Sequence, residues 1–563
     1  PAASLFGAVI FSCLGPLALR ASGQPNIFYG LCWIPWGAWA LSRHFDSGAG
    51  RAAAGAGAVL GLQILAGHAQ PAIHTALLYV ALSLGGATRT LRARLRAAWW
   101  VGATAALVAL PQLWLAAQYL ADAYRWVSAD APIGPGDRVP FDVFVGKHIL
   151  PPAAFSSLLD PWGTHVEDAN TPFLGLGVLG LVAWVLVSPR ARRAVEPLRV
   201  HGPWLIALGA FALAAVVGGY GFVGPLLYHV PILNQIRELG RYAILYQFSA
   251  SALAAMAFQA LPAGGSVRDV QPRARLAILL AVAQLVWMVW GGPTPASGSA
   301  RRQLAIAFLP AVAATLAPLR ALLPSLVAVA LLTDVQAFVP LVVHQPGPGA
   351  SAAERFAPGP ITTALANSFG AARIDMRPNT PLPATYADAH RLQTKLGHGA
   401  TIFRPYFDFL QRDWSEDGRV NDLLNVRYLL TGEPRPYRLV VHDPARGVWL
   451  YERPSWFPRV FLASQMVDHP NGAALTTAIG LTVDFYDDHT QRFRFTTPAA
   501  DTAIASEIAY PGWCAAVNGH GTPIQSARVD GLGTPLRAVP VPAGAVELEF
   551  TYRPFRSALF GCP

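Results

Sequence analysis

The sequence predicts a polytopic α-helical membrane domain followed by an extracytoplasmic mixed α/β segment and a β-sandwich domain. Three observations predict it. Of 563 residues, 53% are apolar and 13% charged, about half the charged share of an ordinary soluble chain. The charge is unevenly divided: residues 1–341 hold 22 basic and 12 acidic side chains and residues 342–563 hold 20 of each, so the whole excess of +10 lies in the apolar part. Long apolar runs recur up to residue 341, whereas short alternating runs bounded by Gly and Pro fill the end of the chain. This pattern argues against a single soluble globule. It also argues against a nucleic-acid partner, because the basic excess fringes hydrophobic runs instead of forming a solvated patch.

A bilayer core about 30 Å thick takes about 20 apolar residues as a helix. On that template, spans are expected near 3–20, 26–42, 52–66, 70–87, 97–120, 173–188, 203–218, 241–261, 276–291, 303–319 and 321–341, eleven in residues 1–341. Pro35 and Pro310 fall inside spans, where neighbouring helices can satisfy the freed backbone groups. If the spans alternate, one set of loops carries 14 Arg, from Arg43 to Arg320, against Asp46, Glu196 and Asp269. Such an arginine excess marks the cytoplasmic side. The opposite side receives the outer loop 121–172, with seven acidic and three basic residues, and everything after residue 341. Arg301 and Arg302 fall on the outer side in this scheme, so they either snorkel or signal a miscounted span. The chain opens on Pro1 and carries no signal-peptide pattern, so it is read as an internal fragment.

In the expected outer region, residues 342–433 mix helix-like stretches at Tyr406–Trp414 and Val420–Asn425 with an apolar strand, Val426–Leu430. Residues 434–563 bring the short runs GVWLYE, RVFLAS, LTVDFY, QRFRFT and AVELEFTY between turn signals, which argue for a β-sandwich. Cys514 and Cys562 are the cysteines on the outer side, where a bridge is permitted. Cys13 and Cys32 read as small apolar packing residues.

Several motifs can carry chemistry, each beside a plainer reading. Gly175, Gly177 and Gly180 match GxGxxG, but they open a membrane span instead of a βαβ unit, so close helix packing is preferred. His68 and Gln70 interrupt two apolar runs at the outer boundary, with His74 one turn deeper. They can hydrogen-bond a polar headgroup or simply form a helix–helix turn. No HExxH spacing or Cys/His set marks a zinc site; a divalent metal is not indicated, and the cofactor is left open. Arg237 and Arg241 are four apart, so on a helix both guanidinium groups share a face and can hold a lipid-linked phosphate. The alternative is that Glu238 pairs with Arg241 and the rest snorkels. Asp334 in the last span is expensive in lipid and faces either a wet cavity or a packing partner such as Gln336. In the outer loop, Asp160, Glu167 and Asp168 are candidates for general-base or metal work, against plain solvated surface. Trp513 and Tyr510 can hold a glycan ring or fill the sandwich core.

The opening SLFGAVIFSCLGPLALRASGQPNIFYGLCWIPWGAWAL resembles a segment of the YfhO-like bacterial membrane proteins, and the similarity continues through LAGHAQPAIHTAL, NQIRELGRYAILYQF, Asp334 and NDLLNVRYLL. In the tail, IAYPGWCAAVNGHGTPI and PLRAVPVPAGAVELEFTYRP resemble the family's Tyr-Pro-Gly-Trp, Val-Asp-Gly and Val-Pro-Ala-Gly signatures, with Asn518 where the family often has Asp. The resemblance covers essentially the whole chain. It implies a GT-C type glycosyltransferase of the bacterial inner membrane, multi-pass, with the C-terminal domain extracytoplasmic. Such an enzyme transfers a sugar from a polyprenyl-phosphate donor to a cell-envelope glycan or polymer at the outer face. The class carries its catalytic acid in an outer loop between the first two spans, expected upstream of residue 1, so the catalytic residue of this chain is unknown. The expected partners are the lipid bilayer, the polyprenyl-phosphate sugar donor and the envelope acceptor, with no nucleic acid. The site residues expected for substrate are His68, Gln70, Arg237, Glu238, Arg241 and Asp334. Alternatives are a transporter or flippase of lipid-linked saccharide, which would show inverted repeats and a midplane polar pathway, and a non-catalytic envelope scaffold.

Overall fold

The proline at position 35 divides the second apolar run, and much of the helical architecture follows from such punctuation. The structure, a computed structural model, describes residues 2–12, 17, 24–85, 90–127, 131–158, 174, 176–187, 193, 195–259, 356–368, 371–383, 385–397, 399, 401–467, 480–529 and 532–562. The chain separates into two units. The first comprises residues 1–114, 127–130 and 136–346, and the second residues 115–126, 131–135 and 347–563.

The first unit is helical. The run expected as one span at 26–42 is two helices, Pro25–Cys32 and Ile34–Ser47, broken at Trp33. Pro35 sits in the first turn of the second helix, where a missing N–H has no intrahelical partner to lose. Helices Gly50–Leu65 and Ala69–Leu84 follow, then Leu91–Leu120, Leu176–Val187, Glu196–Val216 and Ala243–Gln259. Among the described residues, two helices, Leu91–Leu120 and Glu196–Val216, are long and apolar enough to cross a membrane. The spans expected at 276–291, 303–319 and 321–341, with Asp334, Arg301, Arg302 and Pro310, lie outside the described residues.

Small residues set the packing. Gly57 and Gly61 lie one turn apart on the Gly50–Leu65 helix, and a Cβ on Gly57 would stand 2.4 Å from the Val101 carbonyl oxygen. One on Gly61 would stand 2.6 Å from Val108 Cβ. This GxxxG spacing lets the Leu91–Leu120 backbone approach closely, as small-residue seams do between apolar helices. The opposite surface of Leu91–Leu120 is apolar and uncovered, with Trp99 and Leu107 each 71% exposed.

The second unit contains fifteen described strands, numbered in chain order. β1 (Ala123–Arg125) pairs with β3 (Thr401–Phe403), and Arg404 ion-pairs with Asp122 at 2.6 Å beside them. The start of the expected outer loop therefore belongs to this unit. A second sheet has the order β2–β4–β6–β5: β2 (Arg373–Met376), β4 (Val426–Thr431), β6 (Val448–Glu452) and β5 (Arg438–Asp443). β2 and β4 run parallel, and the other two pairs run antiparallel.

Two further sheets face one another. One has the order β13–β14–β10–β7, from Gln525–Val529, Leu532–Val541, Asp501–Ile508 and Val460–Leu462. The other has the order β12–β11–β15–β9–β8, from His520–Thr522, Trp513–Val517, Gly544–Tyr552, Thr490–Thr497 and Thr482–Tyr486. Their inner faces meet through Val460, Leu462, Ala503, Ala505 and Val539 on one side and Phe493, Phe495, Val517, Leu548 and Phe550 on the other. β10 is buried on both faces: Ala503 and Ala505 enter this core, while Ile504 points the other way into a core with Phe409, Leu423 and Phe457, as alternation across a strand requires. The boundary expected at 434 is thus displaced. β5 and β6 pair with β4, and the sandwich begins at Val460.

The two-residue turn between β11 and β12 is Asn518-Gly519, with φ of 50° and 80°. Both values are positive, as a type I′ hairpin needs, which is why Asn-Gly occurs there. Cys514 on β11 is bridged to Cys562 beyond the Pro554–Phe560 helix, so the pairing left open by the sequence is formed.

Candidate functional site

Within the helical unit, residues about 170 positions apart in sequence come together. Gly67, at φ 89°, turns the chain out of the Gly50–Leu65 helix, and His68 becomes the N-cap of Ala69–Leu84. The second contribution is the stretch before the Ala243–Gln259 helix. There Glu238 adopts a left-handed conformation, φ 75°, and the short 3-10 turn Leu239–Tyr242 follows. A non-glycine residue in that region is strained, and here the strain directs the carboxylate inward.

Arg241 is the hub. Its Nη1 donates to Gln70 Oε1 at 2.9 Å and lies 3.0 Å from His68 Nε2, and its Nη2 ion-pairs with Glu238. Gln70 Nε2 donates back to the Glu238 carbonyl at 3.2 Å. Arg237 Nε reaches the other Glu238 oxygen at 3.0 Å. A guanidinium only donates and a neutral imidazole has one acceptor nitrogen. His68 therefore cannot fully accept from both Arg241 and the Gln70 backbone N–H, which lies 3.3 Å from Nδ1; the shorter contact favours Nε2 as the acceptor. The side chains of Glu238, Arg241 and Arg237 are 2%, 11% and 31% exposed. Among the described residues Glu238 receives both guanidinium groups, and Arg237 is the more accessible of the two. His74, one turn along the helix, packs edge-on to Tyr242 with ring centroids 4.9 Å apart.

His68, Gln70, Arg237, Glu238 and Arg241 are thus brought together. The helical premise for the two arginines is corrected: Arg237 precedes the turn and is not on a helix, and the pair meets because both reach Glu238. The plainer reading of a Glu238–Arg241 pair is realised as well. Asp160, Glu167, Asp168 and Asp334, with Gly175 and Cys13, lie outside the described residues. Gln63, which no sequence motif singles out, donates through Nε2 to Gly30 O and Thr75 Oγ1, both at 2.8 Å. An amide inside the run GLQIL was the available signal, since a buried polar group needs partners. Among the described residues, no group of three or more His, Cys, Asp or Glu is arranged to hold a metal ion.

The β-rich unit holds a second constellation. β10 carries an irregularity against β14: Ala505 pairs with Arg537 and Ile508 with Leu536, which leaves Ser506 and Glu507 without ladder partners on β14. A bulge of this kind re-aims side chains. Glu507 Oε1 accepts from Arg373 and Arg459, both at 3.0 Å, and from the Tyr486 hydroxyl at 2.6 Å. Burial alone would raise the Glu507 carboxyl. The guanidinium groups of Arg373, Arg459 and Arg537 outweigh burial and hold it at about 2. Arg537 is drawn down to about 10, chiefly by burial, which the Glu507 charge opposes. It donates to Ile508 O and Gln491 Oε1, each at 2.9 Å, and lies 3.8 Å from the Trp513 ring centroid. A cavity of about 350 Å³ opens here, lined by Arg373, Lys395, Arg537 and Glu507 together with Tyr406, Tyr510 and Trp513.

Compared with protein-family models, curated proteins and solved structures, the chain matches none.

Proposed function

We propose that this chain belongs to a GT-C type membrane glycosyltransferase similar to the YfhO-like proteins, taking a sugar from a polyprenyl-phosphate donor and passing it to a cell-envelope glycan or polymer. The observation that carries the reading is the convergence of His68, Gln70, Arg237 and Arg241 on Glu238. Transfer leaves negative charge on the departing lipid phosphate, and preorganised cations lower the barrier where that charge develops. In this reading Arg237 meets the phosphate directly. Arg241 is fixed by Glu238, Gln70 and His68 and supplies field without needing to reorganise.

A membrane location is supported by the uncovered apolar surface of Leu91–Leu120. Its 30 residues span about 45 Å at about 1.5 Å per residue, long enough for a bilayer core. Orientation follows from the arginine-rich loops: a cytoplasmic side for Arg43, Arg51 and Arg92–Arg96, and an extracytoplasmic side for the β-rich unit in a multi-pass inner-membrane protein. The Cys514–Cys562 bridge fits an oxidising compartment.

The test is donor-dependent labelling of envelope glycan by membranes carrying the protein, with Arg237→Ala and Arg241→Ala compared with the parent chain. Loss of a guanidinium that meets developing charge lowers turnover by about 10²-fold or more. Turnover unchanged in both variants removes the reading, and lipid movement without sugar transfer replaces it with a flippase.

A further inference from the structure

The cavity in the β-rich unit has an unusual charge balance for a buried place. Three cations, Arg373, Lys395 and Arg537, line it against one carboxylate, Glu507. Behind the lining, Asp375 lies 2.9 Å from Lys395 Nζ and 3.2 Å from Arg377, which also faces Glu416 at 3.6 Å; Glu507 remains the carboxylate shared by Arg373 and Arg459. Arg459 and Arg537 are nearly fully buried. Uncompensated buried charge is costly, and an incoming anion that completes the pairing recovers much of that cost. Arg537 has donor capacity left, since Nη2 makes no hydrogen bond among the described residues while Nε and Nη1 are engaged.

The walls also favour a ring. Tyr406, Tyr510 and Trp513 line the same space, and the volume lies at the small end of ligand sites, about 300–1,000 Å³, more than a lone inorganic anion fills. Arg373 Nη1 is engaged by the carbonyl oxygens of Leu424 and Ser506 at 2.9 and 2.5 Å and its Nη2 by Glu507 at 3.0 Å, so Arg373 supplies mainly charge and Arg537 Nη2 the donor.

We propose that this cavity binds a small sugar bearing one oxyanion, a sugar acid or sugar phosphate, with the carboxylate or phosphoryl group toward Arg373 and Arg537 and the ring against Tyr510 and Trp513. The proposal does not depend on the transfer reaction, since it concerns other residues in the other unit.

The full chain in detergent micelles is titrated calorimetrically with glucuronate, glucose 6-phosphate, glucose and inorganic phosphate. At least one anionic sugar binds saturably, ten-fold or more tighter than glucose or inorganic phosphate, and tightness in one and not the other tells carboxylate from phosphoryl. Arg537→Gln weakens that binding ten-fold or more. Thr394 also lines the cavity; Thr394→Trp fills it, leaves every charged group in place and abolishes binding, while hydrogen-exchange protection of β9, β10 and β15 stays at the parent level. Absence of saturable binding by both anionic sugars overturns the proposal. So does equal affinity for inorganic phosphate or glucose, or binding undiminished in Thr394→Trp.

Discussion

Replacing Glu507 with Gln probes the β-rich unit at its most charged point. The substitution keeps the shape and removes the one carboxylate that receives Arg373, Arg459 and Tyr486. The magnitude follows from the depression of this carboxyl from its ordinary 4.5 to about 2; at about 1.4 kcal/mol per pH unit, it corresponds to about 3 kcal/mol of folding stability. Breaking a buried ion pair by removing one partner costs about 3–5 kcal/mol, so two lines of reasoning agree. The sign is fixed by the direction. A folded-state value below the unfolded one means the contribution is complete above about pH 4.5 and is lost as pH falls toward 2. The assay is hydrogen exchange of the full chain in micelles, read from peptides covering β10 and β14 at pH 7. A loss of about 3 kcal/mol in the opening free energy of β10 is expected. A loss below about 0.5 kcal/mol, the scale of an ordinary surface change, would show that Glu507 does not neutralise this cluster.

Gly57→Leu drives a side chain into the Val101 carbonyl; overpacking costs about 1–3 kcal/mol or more, read as a lower melting temperature of the helical unit, whereas an unchanged melt would refute the seam. Asn518→Val puts a β-branched residue at φ 50°, and a loss of about 1–2 kcal/mol is expected from exchange in β11 and β12. Reduction of Cys514–Cys562, which closes a 48-residue separation, removes up to about 4 kcal/mol in the loop-entropy account, visible as a lower midpoint with reductant and none in Cys562→Ser. Glu238→Gln frees Arg237 and Arg241 from their shared carboxylate; polyprenyl-phosphate binding tightens while stability falls by about 3 kcal/mol, and weaker binding would contradict the role given to the arginines.

Local chemistry was readable from the sequence, and pairing at a distance was not. The Asn518-Gly519 turn, the strands at Val448–Glu452, Thr490–Thr497 and Gly544–Tyr552, and the polar break at Gly67–Gln70 stand where alternation and turn residues put them. The sheet to which β5 and β6 belong was misjudged, because it depends on β4 and on a parallel β2, and no local pattern encodes that partner. The Arg237–Arg241 spacing suggested a helix face. Glu238 at positive φ breaks that helix, and the residues meet through a carboxylate instead. Arg373, Arg459 and Glu507 escaped notice for two reasons. They are separated by up to 134 residues, and arginine in a polar segment ordinarily signals surface, whereas Arg459 is fully buried.

The claim on which the functional account rests is that lipid-linked phosphate reaches Arg237 and Arg241. Photo-crosslinking in native membranes with a polyprenyl phosphate carrying a diazirine next to its phosphate tests it most directly. The account predicts labelled peptides from 65–74 and 234–242, with labelling competed by unmodified polyprenyl phosphate and lost in the double variant Arg237→Ala, Arg241→Ala. Labelling confined to other segments, or unaffected by that double variant, would contradict it.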